Sequence, residues 1–439
     1  MSIFERALEK FQRRDAVVGI LGLGYAGLPL ACTFAEAGFK TVGFDIDAAK
    51  IKRLRNGESY VGNVPSERLE KLVASGRLSA TDSYQELATC DAAIVCVPTP
   101  LDDARNPDLS FVVSTVREVR KFLHPGQLVV LESTTYPGTT EEVVLPILAD
   151  AGLKAGEEFF LAFSPEREDP ANKDYRTQTI PKLVGGLTDH CREVACAAYA
   201  QVVEVVIPVG STRVAEAAKL LENIYRCVNI AMVNELKLLF DRIGLDVWEV
   251  IRAASTKPFG FAPFYPGPGL GGHCIPIDPF YLAWKARQHG FTTRFIELAG
   301  EINSSMPEYV VDRLTEGLNL QGKALKDAAI LLLGVAYKRD IEDYRESPAL
   351  SIIIQLNRRL ARVSYHDPHV PHLRTRYLSH TLSSIGLTSE LVRSSDAVVI
   401  VTDHSDVDYE MIVRNAKLVV DTRNATARFR QPGDKVLLA

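Results

Sequence analysis

Three glycines, Gly22, Gly24 and Gly27, constrain this chain more than any other feature, because they fall between an apolar run and a helix-like stretch. The run Val17-Val18-Gly19-Ile20-Leu21 reads as a buried strand and Leu28 to Ala37 as a helix, which makes Gly22-Leu23-Gly24-Tyr25-Ala26-Gly27 a strand-to-helix turn. A second strand, Thr41 to Phe44, ends at Asp45, about 20 residues beyond the glycines. In this context Gly22 permits the tight turn, Gly24 lets the backbone approach a pyrophosphate, and Gly27 lets helix and strand pack closely. Tyr25 and Ala26 lie in the same turn, where the helix N-terminus offers N–H groups to phosphates. Asp45 is placed to accept from adenosine ribose hydroxyls and to repel a 2′-phosphate, so NAD is expected rather than NADP.

Further short apolar strands, Ala92 to Val97 and Leu128 to Leu131, alternate with helical patterns, which points to a parallel sheet with helices on both faces. The first domain is expected to end near Ile207 to Gly210. From Ser211 the periodicity becomes that of one long helix reaching about Arg242, with Thr212 as its cap and Gly244 just past its end. At 1.5 Å per residue such a helix runs ~45 Å, long enough to bridge two domains. A second alternating pattern starts near Ala328. There Ala329 to Gly334 reads as a buried strand, Ser347-Pro348 as N-cap and first helical position for Ala349 to Leu360, and Arg362 to Tyr365, Ala397 to Val401 and Leu418 to Val420 as strands. The expected fold is α/β, with two Rossmann-like doubly wound domains joined by a long central helix: residues 1–210, 211–315 and 316–439.

Composition agrees with several domains, since 439 residues are too many for one ordinary core. A formal charge of -5 gives no reason to expect a nucleic-acid partner or an anionic membrane. Met1 to Asp15 lacks the apolar core of a signal peptide, and no apolar run reaches the ~18 residues of a membrane span, so a cytoplasmic enzyme is expected. Seven cysteines without a CxxC pair support neither a disulfide framework nor a structural zinc site, and no metal is expected.

The second constellation is Gly267-Pro268-Gly269-Leu270-Gly271-Gly272-His273-Cys274-Ile275-Pro276-Ile277-Asp278-Pro279. So much Gly and Pro marks an ordered, irregular loop where backbone passes close to a ligand. Cys32, Cys90, Cys96, Cys191, Cys196 and Cys227 lie in apolar or helical stretches and read as buried, inert thiols. Cys274 differs: it has a Gly-rich shoulder, His273 beside it and the Asp278 carboxylate nearby, a polar setting in which a thiolate can be activated. A structural loop thiol is the alternative reading of these residues alone.

Several motifs in order then carry a family resemblance: the glycine turn, Val97-Pro98-Thr99-Pro100, Ser133-Thr134-Thr135, Lys219 with Asn223, Gly271-Gly272-His273-Cys274, Tyr337-Lys338-Arg339-Asp340 and Arg345-Glu346-Ser347. From about Val17 to about Asn424 the chain resembles the UDP-glucose/GDP-mannose dehydrogenase family. The resemblance implies an N-terminal NAD domain, a central helix used for dimerisation in a homodimer or higher oligomer, and a C-terminal domain that holds the UDP part of a UDP-sugar. It makes Cys274 the nucleophile, Asp278 its acid/base partner, and Lys219 and Asn223, one helical turn apart, the pair that converges on the reacting oxygen. It assigns Pro98, Thr99, Thr134 and Arg345 to the cofactor, and Lys338, Arg423, Lys257, Tyr265 and Gly271 to the UDP-sugar. Glu166 matches one carboxylate of the UDP-glucose branch's Pro-Glu-Phe-Leu-x-Glu-Gly segment. The second falls on Pro170, because this chain reads Ser164-Pro165-Glu166-Arg167-Glu168-Asp169-Pro170, which leaves open the carboxylate that activates the hydrolytic water.

The activity implied is NAD-dependent, four-electron oxidation of a sugar C6 alcohol to a carboxylate through a Cys274 thioester, for a surface polysaccharide precursor. The nucleophile loop looks like the branch acting on N-acetylated sugars, with Ile277 where the UDP-glucose branch more often has lysine. UDP-N-acetylglucosamine is therefore expected first, with UDP-glucose and UDP-N-acetylmannosamine as alternatives. A two-electron hydroxyacid dehydrogenase, which needs no cysteine, and a nucleotide-binding regulatory protein are the rival classes.

Overall fold

A computed structural model describes residues 1–102, 104–168, 175–272, 274–375, 378 and 380–439; His273 and Pro170 lie outside the described residues. The chain forms two compact units, Met1–Glu222 with Phe280–Phe291, and Asn223–Pro279 with Thr292–Ala439.

The N-terminal unit is built on an eight-stranded sheet: β1 (Val17–Leu21), β2 (Lys40–Phe44), β3 (Leu78–Thr81), β4 (Ala92–Val95), β5 (Leu128–Leu131), β6 (Phe160–Phe163), β7 (Lys182–Gly186) and β8 (Val206–Val209), in the order β3-β2-β1-β4-β5-β6-β7-β8. Every pairing is parallel except β6 with β7. The alternating pattern predicts the parallel part; the antiparallel return is a departure from it. Strands β4, β5 and β6 are buried along their whole length, as continuous apolar runs covered on both faces must be. At the edge, β8 is only partly covered and contains Pro208, which has no N–H to donate to a further strand. Since β1 lies between β2 and β4, the strand order reverses there, and a crevice opens at the carboxyl ends of β1 and β4.

Two elements of this unit escape the apolar periodicity. The helix Ile3–Arg13 starts at a capping box in which Ser2 and Glu5 bond each other's backbone N–H groups. The returning segment Phe280–Phe291 is held by the Tyr281 hydroxyl donating to the Pro100 carbonyl at 3.1 Å, by Lys285 on Glu142 at 2.6 Å, and by Trp284 against the Tyr136 ring at 4.9 Å.

The central helix runs Thr212–Ile243, 32 residues, and Gly244, at φ 75°, ends it. Thr212 is its first residue rather than its cap; the hydroxyl donates to Glu141 Oε1 at 2.9 Å. Two domains joined by this helix make up the chain.

The C-terminal unit carries β9 (Ala329–Leu333), β10 (Arg362–His366), β11 (His372–Leu373), β12 (Leu382–Ser383), β13 (Ala397–Ile400), β14 (Val419–Asp421) and β15 (Val436–Leu438). Five of them form an all-parallel sheet in the order β10-β9-β13-β14-β15, while β11 and β12 pair antiparallel beside it. Ser347 caps the helix Pro348–Arg358, accepting from the Ala349 N–H at 3.3 Å with Pro348 in the first turn, as its sequence predicts. Among the described residues no helix is long and apolar enough to cross a membrane.

Candidate active site

In the N-terminal unit the glycine turn has the steric profile of a dinucleotide cradle. Gly22 sits at φ 95°, and a Cβ there would lie 2.7 Å from the Cys96 carbonyl; at Gly27 it would lie 1.9 Å from the Gly22 carbonyl. At Gly24, by contrast, a Cβ would meet nothing within 4 Å, so the turn's outer edge is open where a phosphate would approach. The helix Gly27–Glu36 begins after Ala26 with no side chain capping it. Asp45 closes the turn: Oδ2 accepts from the Leu23 N–H at 3.0 Å and from Lys50 at 3.0 Å, and Oδ1 from the Asp47 N–H at 3.0 Å. Across the crevice the Ser133 hydroxyl donates to the Val97 carbonyl at 2.7 Å, tying the loop after β5 to the loop after β4. Pro98 is exposed, Thr99 buried and Thr134 half-buried on these two loops. The residues present fit NAD.

Glu166 follows β6 and accepts from the Glu168 N–H. Burial, and then the neighbouring Glu166 carboxylate, push the Glu168 carboxyl up to about 8. Behind this segment Lys182, buried, donates to Glu132 at 2.8 Å and to the Pro165 carbonyl at 3.2 Å, while Tyr199 donates to the other Glu132 oxygen. Burial raises the Glu132 carboxyl, and Lys182 opposes it. The sequence reading missed Glu132 and Lys182, which stand singly at strand ends without a motif. Lys219 is buried on the central helix, three residues after Glu216. Glu216 accepts from the Gly138 N–H at 2.6 Å and from the Thr140 N–H and hydroxyl at 2.9 and 2.7 Å, and burial lifts it to about 7.

In the C-terminal unit the Gly-rich loop from Gly267 to Pro279 brings Cys274 near Asp278 and Asn223. Of the seven cysteines Cys274 alone is exposed. Cys32, Cys90, Cys191 and Cys227 are buried as expected, whereas Cys96 and Cys196 are half-buried; burial pushes Cys32 and Cys90 up to about 12 and Cys227 up to about 11. The Cys274 carbonyl accepts from the Ile277 and Asp278 N–H groups at 3.1 and 2.8 Å, a turn leading into the helix Asp278–Gln288. Asp278 is buried, and Asn223, also buried, donates to its Oδ2 at 2.5 Å. On the other side of the thiol the loop lies flat on Tyr337: a Cβ at Gly271 would come 2.6 Å from Tyr337 Cβ, and one at Gly272 2.8 Å from the ring. The Gly272 N–H donates to the Arg345 carbonyl at 3.2 Å.

Loops at the carboxyl ends of β9 and β14 supply cations, and the loop after β13 supplies Asp403, where open α/β sheets bind ligands. Arg339 and Arg423 share Asp403, Arg423 Nε at 3.2 Å, and a Cβ on Gly267 would sit 2.7 Å from Arg423 Nη1. Lys338, half-buried, precedes Arg339. The Arg345 guanidinium is exposed and pairs with Asp343 at 2.6 Å. Lys257 and Tyr265 stand on the exposed segment before the loop, Lys257 over the Phe259 ring at 5.4 Å and Tyr265 stacked on Trp248 at 5.7 Å. Asp340, His369 and His404 bring ligand atoms within 4.8 Å of one another. Both His404 ring nitrogens are already engaged, Nδ1 by the Asp340 N–H and Nε2 by Asp367, each at 3.0 Å, so this cluster is a hydrogen-bonded support rather than a cation cage.

The two sheets and the glycine turn define a dinucleotide-binding α/β protein, and the family whose description it matches makes it an NAD-dependent oxidoreductase. Three family descriptions match in succession: the UDP-glucose/GDP-mannose dehydrogenase NAD binding domain over residues 16–203, the central domain over 213–305 and the UDP binding domain over 331–428. The chain belongs to the UDP-glucose/GDP-mannose dehydrogenase family, whose members are nucleotide-sugar dehydrogenases. It is 35% identical to a UDP-N-acetyl-D-glucosamine 6-dehydrogenase of Pseudomonas aeruginosa over 90% of this chain and 92% of that one. It is 34% identical to a UDP-N-acetyl-D-mannosamine dehydrogenase of Pyrococcus horikoshii over 93% and 95%. The solved structure of the UDP-D-ManNAc dehydrogenase from Pyrococcus horikoshii superposes with a TM-score of 0.87 at 33% identity, covering 96% of this chain and 98% of that one.

Proposed function

We propose that this enzyme oxidises the C6 alcohol of a UDP-N-acetylhexosamine, UDP-N-acetylglucosamine first, to the uronate, with Cys274 as covalent nucleophile. The observation that carries the reading is the exposed Cys274 thiol on a glycine loop, one turn before a buried Asp278 that Asn223 holds. NAD, when bound, supplies the hydride acceptor for both oxidations. Lys219 and Asn223 stabilise the developing alkoxide and oxyanion, a contribution commonly worth about 3 kcal/mol per donor. The Cys274 thiolate adds to the aldehyde to form a thiohemiacetal, whose oxidation leaves a thioester. Water cleaves the thioester, freeing the thiol and the carboxylate, so one sugar consumes two NAD and one water. Covalent capture keeps the reactive aldehyde on the protein between the two oxidations. Glu166, with Glu168 beside it, is assigned to proton transfer during hydrolysis. Pro98, Thr99, Thr134 and Arg345 are assigned to the cofactor, and Gly271, Lys338, Arg423, Lys257 and Tyr265 to the UDP-sugar. The product suits a surface polysaccharide precursor made in the cytoplasm.

Relatives that act on UDP-N-acetyl-D-glucosamine and on UDP-N-acetyl-D-mannosamine support an N-acetylated substrate. UDP-glucose is the second reading, since a UDP-glucose dehydrogenase from Pyrobaculum islandicum superposes with a TM-score of 0.82 at 30% identity. The test compares kcat/KM for UDP-glucose and the three UDP-N-acetylhexosamines while counting NADH formed per sugar. We expect two NADH and the highest value for UDP-N-acetylglucosamine, with a margin over UDP-glucose of about 1–3 kcal/mol, or roughly 10- to 200-fold. A preference for UDP-glucose overturns the sugar, and one NADH per turnover overturns the four-electron chemistry.

A further inference from the structure

Behind the nucleophile loop lies a chain of amides that the proposed chemistry does not use. Asn234, on the central helix, and Asn303, on the helix Arg294–Leu320, are both buried. Asn303 Nδ2 donates to the Cys227 carbonyl at 3.2 Å, Asn234 Nδ2 donates to Asn303 Oδ1 at 2.9 Å, and Asn234 Oδ1 accepts from the Gly267 N–H at 3.0 Å. Each link fixes the orientation of the next amide, because a carboxamide has one accepting and one donating end. The last link lands on the first residue of the nucleophile loop.

That loop has little conformational preference of its own. Gly267, Gly269, Gly271 and Gly272 fall within six residues, each free to adopt many backbone conformations. Its geometry must come from tethers, among them, for the described residues, the Asn234 amide at Gly267, the Arg345 carbonyl at Gly272, and the turn at Cys274 closed by Asp278. The first of these originates inside a helix pair, where an apolar side chain would pack without needing partners. An amide there serves the buried Gly267 N–H. We propose that Asn234, oriented by Asn303, is a positioning residue that sets the path of the loop and so the placement of the Cys274 thiol. The proposal rests on Cys274 being the nucleophile.

The experiment compares Asn234→Leu, which removes the acceptor, with Asn234→Asp, which keeps an acceptor for the Gly267 N–H. Buried at that site, the new carboxyl takes up a proton and donates it to Asn303 Oδ1, so Asn303 keeps its bond to the Cys227 carbonyl. Steady-state constants are measured beside thermal melting and the iodoacetamide alkylation rate of Cys274 in the absence of sugar. A nucleophile displaced by about 1 Å costs up to about 100-fold, so we expect kcat of Asn234→Leu to fall at least tenfold with an altered alkylation rate. KM for NAD should stay within about twofold, and Asn234→Asp within about threefold of the native kcat. A folded Asn234→Leu with native kcat and alkylation rate, or an Asp variant as slow as the Leu variant, overturns the proposal. If Asn234→Leu does not fold, Asn234→Ser, too short to reach Gly267, carries the same expectations. Alkylation reports on the thiol without turnover, so failure here is distinguishable from failure of the covalent mechanism, which Cys274→Ala tests by itself.

Discussion

At the residue scale the thiol can be separated from everything else in the site. Replacing Cys274 with alanine removes the sulfur and keeps the backbone turn toward Asp278, which the Cys274 carbonyl makes. The expected result is a folded protein in which uronate formation falls by about 10⁴-fold or more, the scale at which a covalent nucleophile acts within its group. Retained uronate production, measured by chromatography of the UDP-sugar products, would exclude the thioester. Residues of this kind are legible in sequence because their chemistry demands an unusual neighbourhood. Gly22 and Gly27 announce themselves through the backbone atoms a Cβ would strike, and Cys274 through the glycines beside it. Asn234, Asn303, Glu132 and Lys182 do not, because a buried amide or ion pair is defined by partners dozens of positions away.

Elements were legible in proportion to how local their determinants are. The strands β1, β5 and β9 and the Ser347 cap follow from apolar runs and one capping hydroxyl. The antiparallel turn of β7 against β6 depends on a connection that no pattern in either strand encodes. Where strands end, polar groups must be satisfied, and in the C-terminal sheet one carboxylate does much of this. Asp367 accepts from the Val335 and Ala336 N–H groups after β9 at 2.7 and 3.0 Å, from the His369 and Val370 N–H groups after β10 at 2.8 and 2.9 Å, and from His404 after β13 at 3.0 Å. Burial alone would raise this carboxyl, but His404 and the backbone N–H groups outweigh it and hold it at about 2. Because the folded value lies below the unfolded value of about 3.9, the stability it contributes is complete above about pH 4 and is lost as pH falls toward 2. Asp367→Ala should destabilise the protein by about 3 kcal/mol at neutral pH, because it leaves four backbone N–H groups and the His404 Nε2–H without their acceptor. It should also flatten the acid limb of a melting-temperature profile. An unchanged acid limb in the variant would assign that limb to other carboxylates.

For the whole molecule, the central helix leaves a face to account for. Tyr225, Met232 and Leu239 follow one another at seven-residue intervals, with Ile243 one turn further, and they are 53%, 47%, 48% and 58% exposed. A heptad-spaced apolar seam is what two helices bury against each other, and a second copy of this chain is the partner we propose. The double variant Tyr225→Asp/Leu239→Asp should sediment as a monomer where the native protein sediments as a dimer or larger. An unchanged sedimentation coefficient would move the interface elsewhere.

The segment Phe280–Phe291, which returns to the first unit after the chain has entered the second, has a consequence for synthesis on the ribosome. Tyr281, Trp284 and Lys285 belong to the first unit's packing, so that unit is unfinished when Glu222 is made. It must wait for about 70 further residues, roughly 3 to 14 seconds at 5–20 residues per second. During that interval the nascent chain already carries the eight-stranded sheet while the surface around Pro100 and Tyr136 still awaits its cover. Folding cannot proceed as one domain followed by the next, and no single cut in the gene would yield two pieces each holding all of its own contacts.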